Sequence, residues 1–338
     1  MNLIGNGPND WILSTLALGK VGSTNVCYSD SPTKAGSMMD AHRKNLPCNL
    51  CGSAHAKVVF EAGVAQASRV VKCDQCGLMY ASPRAKLPDQ DEIAGYNPEF
   101  TKKTRENSPD RYEKEELQVR DYEDTRAYLR NAYPQRGRLL EIGCSMGFLL
   151  AKFREDGWDV EGIEPNKGYC EFIEDHHRIK ASPTILEEAN WSDASVDVVV
   201  MLHVIEHVPD PLHTLKEIFR VLKPGGSLVI ETPRYDSLMF KLLRHRERSV
   251  SCDGHIYFFT TETLRQMCVR AGFQFQFVKY VGRSLNLARL LWNIGVMTKS
   301  RAVQRGIGKA SHLLRLNKVH MRLNARDMQR MVLKKAVP

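Results

Sequence analysis

No run in the 338-residue chain approaches the roughly 20 apolar residues that a membrane-spanning helix needs. The apolar stretch from Trp11 to Gly19 is short and no Lys or Arg precedes it, so a secretory leader is not expected. A disulfide framework is also missing. Of nine cysteines, four form two close pairs, and Cys27, Cys144, Cys170, Cys252 and Cys268 are scattered. That usage suits a reducing, cytoplasmic setting. Aromatic residues make up only 8% of the chain. A dinucleotide fingerprint, with glycines at offsets zero, two and five, is absent as well. What remains is ordinary globular composition, 43% hydrophobic and 26% charged, enough for one large domain and a small one.

The net charge of +9 is unevenly placed. From Val281 to the end there are 13 Lys/Arg and one acid (Asp327), so the whole basic excess is C-terminal. Met1 to about Asp40 is rich in Gly, Ser, Asn and Thr without sustained periodicity, and reads as a disordered extension over 1–40.

The stretch that organises the rest is RLLEIGCSMGFLL, Arg138 to Leu150. An apolar run breaks into Gly143-Cys144-Ser145-Met146-Gly147 and resumes as an amphipathic segment, which predicts a buried strand, a tight glycine turn and a helix start. Such a unit aims backbone N–H groups and a positive helix end at a ligand. Strands are also expected at Trp158–Pro165, near Arg178–Ser182, at Val196–Leu202, at Ser227–Glu231, at Phe273–Phe277 and, antiparallel, at Met328–Leu333. Asp210 and Pro211 predict a capped helix whose buried face carries Leu212, Leu215, Ile218, Phe219 and Leu222.

The pattern E-x-G-x-S-x-G from Glu141 to Gly147, followed by HVIEHVPDP, LKPGG and ETP in order, resembles the class I S-adenosylmethionine-dependent methyltransferases from about Arg138 to Gly272. Ser145 stands where a third glycine is usual in that family. The resemblance implies a seven-stranded doubly wound, Rossmann-like α/β sheet and S-adenosyl-L-methionine as cofactor. It implies cofactor contacts from Glu141, Gly143, Cys144, Ser145 and Gly147, and from Glu164 and Pro165 at the next strand end. Glu164 would accept from both ribose hydroxyls. Ile185, Leu186 and Glu187 would flank the adenine, with Leu202 and His203 completing the set.

The segment GHIYFFT resembles the histidine-containing region of sugar C-methyltransferases, although Cys252, Asp253 and Gly254 replace a richer cluster. His255 is therefore the first candidate base. His207 and Glu206, after the fourth strand, are the others.

Upstream, Cys48-x-x-Cys51 and Cys73-x-x-Cys76 each precede a glycine, and short strands are predicted between them. This spacing fits a closed four-cysteine structural zinc site in a ribbon over 41–83. Residues 84–135 read as a helical linker or lid. The methyltransferase domain is expected over 136–338, with a basic helical insert at 284–323. The expected activity is methyl transfer to a small molecule, possibly a sugar or lipid-linked intermediate, with the insert first a solvated amphipathic cap over the substrate pocket and second a contact with an anionic membrane surface at the inner face. The alternatives are an RNA methyltransferase that grips the phosphate backbone through ribbon and basic tail, and a non-catalytic cofactor-binding scaffold. Oligomeric state is not legible.

Overall fold

A computed structural model describes residues 46–83, 119–247, 249–251, 254–288, 290–291, 306–308, 310–311, 313–314 and 316–337. The expected N-terminal extension, residues 84–118 of the expected linker, Cys252, Asp253 and the centre of the basic insert lie outside them.

Two sheets carry the fold. The smaller is antiparallel, ordered β1-β2-β3-β9, from β1 (Ala56–Phe60), β2 (Arg69–Cys73), β3 (Met79–Ser82) and β9 (Tyr257–Phe258). The larger runs β10-β11-β8-β7-β4-β5-β6. Its members are β4 (Arg138–Ile142), β5 (Asp159–Ile163), β6 (Ala181–Ser182), β7 (Val196–Leu202), β8 (Leu222–Pro233), β10 (Gln274–Asn286) and β11 (His320–Lys334). All neighbouring pairs are parallel except those of β11, which is antiparallel to both β8 and β10. This is the doubly wound sheet expected. The strand order reverses at β4, so its carboxyl end opens the crevice where such sheets take ligands.

Residue chemistry explains the centre. Val196, Val198, Val199, Val200 and Met201 of β7 are fully buried, as a strand covered on both faces requires. Helix α1 is Glu123–Ala132, α2 Phe148–Glu155, α3 Lys167–Phe172, α4 Pro211–Val221, α5 Leu238–Leu243 and α6 Thr261–Arg270. The Asp210 side chain accepts from the His213 N–H and caps α4, with Pro211 following it.

The small ribbon is tied to the rest of the fold, and two other expectations need correction. The ribbon leans on the main domain: β3 pairs with β9 (Met79 with Phe258, Tyr80 with Tyr257). Leu50, Val71 and Tyr80 also share one core with Ile205, Leu215 and Tyr257. The described part of the linker is not a lid. Leu129 of α1 is buried beside Leu139, Phe153 and Trp158, and Arg126 makes two hydrogen bonds of 2.8 Å to Asp156 of the neighbouring layer. Finally, residues 284–286 and 320–323 of the expected basic helical insert are strand rather than helix. Ser284, Leu285 and Asn286 pair with Arg322, Met321 and His320, extending the β10–β11 hairpin. Next along the chain, Leu287, Ala288, Leu290 and Leu291 are helical.

Candidate active site

At the carboxyl end of β4 the chain makes its glycine turn. Gly143 and Gly147 both hold positive φ (72° and 74°), and Ser145 between them also sits left-handed at 49°. A Cβ on Gly143 would collide with Val204 Cγ2, so the loop after β7 lies directly on the turn. Gly147 opens α2, and no side chain caps that helix start. The Ser145 N–H donates to Glu164 Oε2 at 3.0 Å, and the Asn166 N–H donates to Oε1 at 3.0 Å. The buried Glu164 carboxylate, at the end of β5, is therefore fixed against the turn. These features fit a cofactor with a cationic centre and a ribose: a left-handed glycine turn, a close-approach cradle and an oriented acid.

The other expected cofactor residues divide. Glu141 is buried within β4. Cys144 is buried too, and burial pushes its thiol well up, so it is inert packing that offers only its backbone to a ligand. Pro165 and Leu202 are half-buried, as is Ile185. The Leu186 side chain sits in the core. His203 takes φ 58° and places its imidazole between two acids, 3.1 Å from Glu231 Oε1 and 3.7 Å from Glu206 Oε1. Burial opposes its protonation, but the two carboxylates outweigh that and raise its pKa.

Glu206, His207 and His255 come together, with one donor atom from each within 4.8 Å of the others. The Thr232 hydroxyl donates to Glu206 Oε2 at 2.9 Å. Burial disfavours ionisation of Glu206, yet His203 and the neighbouring histidines hold its carboxyl at about 2. His207 Nδ1 lies 2.8 Å from the Gly254 carbonyl, which can only accept. Nδ1 therefore carries the proton, and Nε2 is the basic nitrogen of the neutral ring. The His255 ring stands edge-on to His207 at 4.6 Å, and its Nδ1 meets the Tyr235 hydroxyl at 3.2 Å. Burial first, and then the proximity of His207, lowers His255 to about 3, so it is a neutral imidazole at physiological pH.

Sequence reasoning missed Arg330. Its guanidinium is buried on β11, 2.6 Å from Glu231 Oε2 and 2.7 Å from the Thr125 hydroxyl. It closes a chain Arg330–Glu231–His203–Glu206 beneath the histidine pair. An arginine among the apolar residues of a predicted strand was the only signal for it.

The four cysteines form a second constellation. Cys48 and Cys76 sulfurs are 3.4 Å apart, Cys51 and Cys73 sulfurs 3.5 Å, and all four lie within 4.8 Å. A disulfide would need about 2.05 Å. A tetrahedral ion with bonds of about 2.3 Å to sulfur needs edges of about 3.8 Å. Gly52 and Gly77 N–H groups close matching turns onto the Cys48 and Cys73 carbonyls at 2.8 and 3.0 Å. Donor chemistry and spacing both suit zinc.

Among the described residues, no helix is long and apolar enough to cross a membrane. Residues 112–276 match the family described as a methyltransferase domain. A putative methyltransferase YqeM of Bacillus subtilis is 28% identical over 120 residues, covering 32% of this chain and 48% of that protein. A probable S-adenosylmethionine-dependent methyltransferase of Mycolicibacterium smegmatis is 35% identical over 108 residues, covering 31% and 42%. A ubiquinone biosynthesis O-methyltransferase of Vibrio cholerae is 29% identical over 101 residues, covering 28% and 41%. The chain thus spans less than half the length of these curated relatives. With the sheet order and the glycine turn against Glu164, these matches place the chain among the class I S-adenosylmethionine-dependent methyltransferases over that domain.

Proposed function

We propose that the chain transfers the methyl group of S-adenosylmethionine to a small-molecule acceptor, a sugar or lipid-linked intermediate. The observation that carries this reading is the contact between the glycine turn and the loop after β7. Val204 occupies the space beside Gly143, so the Glu206–His207–His255 cluster adjoins the cofactor side of the crevice.

When bound, the cofactor supplies a sulfonium methyl that is already activated. The chain's own residues do the rest. Ser145 N–H and Glu164 form the cofactor side, with Glu164 oriented to accept from ribose hydroxyls. His255, neutral and held by Tyr235, accepts the acceptor's proton. His207 Nε2 is the second basic nitrogen, its tautomer fixed by Gly254. The ionised Glu206 stabilises positive charge developing on either ring. Zinc held by Cys48, Cys51, Cys73 and Cys76 is structural in this reading, since four thiolates leave no open position. Methyl transfer from labelled cofactor to glycan and glycolipid acceptors tests it. Turnover should collapse in His255→Asn while cofactor affinity holds; wild-type levels of transfer in that variant would remove His255 from the mechanism.

A second observation favours the lipid-linked acceptor over RNA. Helix α5 leaves Leu238 69% and Leu242 71% exposed, beside exposed Lys241, Arg244 and Arg246. Apolar and basic groups on one surface suit an anionic bilayer interface. The helix follows Tyr235, which contacts His255, so a bilayer at α5 adjoins the acceptor side. Cosedimentation with phosphatidylglycerol vesicles should be lost in Leu238→Glu/Leu242→Glu. Salt-steep RNA binding without vesicle binding would reverse the preference.

A further inference from the structure

Asn49 lies between two of the four cysteine ligands, yet its side chain leaves the ribbon. Its Nδ2 donates to Asp210 Oδ1 at 2.8 Å, and its Oδ1 accepts from the Leu212 N–H at 3.0 Å. Asp210 is itself the cap of α4, accepting from His213 N–H through the same Oδ1. One amide thus joins the first cysteine knuckle to the helix start that follows Glu206 and His207. The next knuckle residue, Leu50, accepts from Arg270 of α6 through its carbonyl at 2.5 Å.

The other end of the ribbon grips the segment carrying His255. β3 pairs with β9, and Ala81 N–H donates to the Ile256 carbonyl at 2.8 Å. That segment turns back on the first. Ile256 and Tyr257 N–H groups both donate to the Glu206 carbonyl, at 2.8 and 3.1 Å, and the Tyr257 hydroxyl donates to the Pro209 carbonyl at 3.0 Å. The two loops that bear the acid–base cluster are therefore clamped between the knuckle and the third ribbon strand. The glycine turn and Glu164 follow β4 and β5, and none of these clamping bonds is made to them.

We propose that Asn49 is a positioning residue for the acceptor side. The metal-held knuckle fixes the Asn49 amide, the amide fixes the start of α4, and β3 fixes His255 against His207. The ribbon is then one wall of the reaction site. The inference rests on the histidine cluster being the reacting centre, but its own readouts do not need turnover.

The experiment compares Asn49→Asp, Asp210→Asn and the double swap Asn49→Asp/Asp210→Asn. Asn49→Asp sets two carboxylates face to face with no donor between them. Asp210→Asn keeps the cap but removes the charged acceptor. The swap restores one amide and one carboxylate, with Leu212 N–H still bonded. Imidazole NMR signals of His207 and His255 report their placement, and calorimetry reports S-adenosylmethionine affinity.

In Asn49→Asp both histidine signals should shift, and methyl transfer should fall by about a hundredfold, the size expected for reacting groups displaced by about 1 Å. Cofactor affinity should stay within about twofold. The swap should return the signals and recover most of the rate. Chelation of metal from folded wild-type protein should reproduce the Asn49→Asp signals, and recovery in the swap guards against a variant that simply misfolds. Unmoved histidine signals in Asn49→Asp and after chelation would overturn the proposal. So would a swap no better than the single variant, or cofactor affinity lost in parallel. Absence of methyl transfer by wild type would refute the proposed activity, while the histidine signals would still decide the role of Asn49.

Discussion

Replacing Arg330 by methionine should be among the most damaging single changes outside the glycine turn. Arg330 is 3% exposed, bonds Glu231 at 2.6 Å and Thr125 at 2.7 Å, and lies over the Tyr122 ring at 4.6 Å. Methionine nearly conserves the apolar volume but strands the Glu231 carboxylate, itself 2% exposed, with only His203 beside it. Removing one partner of a buried pair costs about 3–5 kcal/mol, which in a domain this large lowers the melting temperature by about 10 °C. The deficit should depend on pH. Burial would raise the Glu231 pKa, but Arg330 and His203 outweigh it and hold the group at about 2. A depressed carboxylate contributes stability fully above its unfolded value of about 4.3, and loses it as pH falls toward 2. In Arg330→Met the stranded carboxyl protonates more readily, so the gap from wild type should be widest near pH 7 and shrink below about pH 4. Scanning calorimetry across that range measures it. Glu231→Gln/Arg330→Met should be less unstable than Arg330→Met alone. A deficit under about 1 kcal/mol, or one unchanged by acid, would refute the ion-pair reasoning.

Other outcomes follow from the same geometry. Gly143→Ala forces a side chain into Val204 at a positive φ, and should weaken cofactor binding by at least about tenfold by calorimetry. Cys48→Ser should remove one metal equivalent by elemental analysis and destabilise ribbon and main domain in one transition, because they share a core. A further equivalent lost in Glu206→Gln would mean that the histidine cluster also holds an ion. His255 is held at about 3, so its proton-accepting form persists from mildly acid pH upward. The kcat profile should therefore show no inflection near 6.5 that disappears in His255→Asn.

How much of this was legible is clear from particular residues. The glycine turn, the all-apolar β7 and the Asp210-Pro211 helix start each encode their structure within a few neighbours. The two cysteine pairs likewise announce a four-sulfur cluster through spacing alone. What stayed hidden is long-range. Asn49 meets Asp210 across 161 positions, and Arg330 meets Thr125 across 205. No local period records such pairs. β9 has two residues and exists as a strand only because β3 pairs with it. The side-chain role of His203 also depends on strands β8 and β11 meeting, which sets Glu231 against Arg330.

The central claim is that the turn from Gly143 to Gly147, with Glu164 held against Ser145, binds S-adenosylmethionine. Calorimetric titration of the wild type and of Glu164→Ala, with S-adenosylmethionine and separately with NAD, tests it most directly. Saturable binding of S-adenosylmethionine alone, lost in the variant, is the predicted result. Binding of NAD, or of neither ligand, would contradict the account.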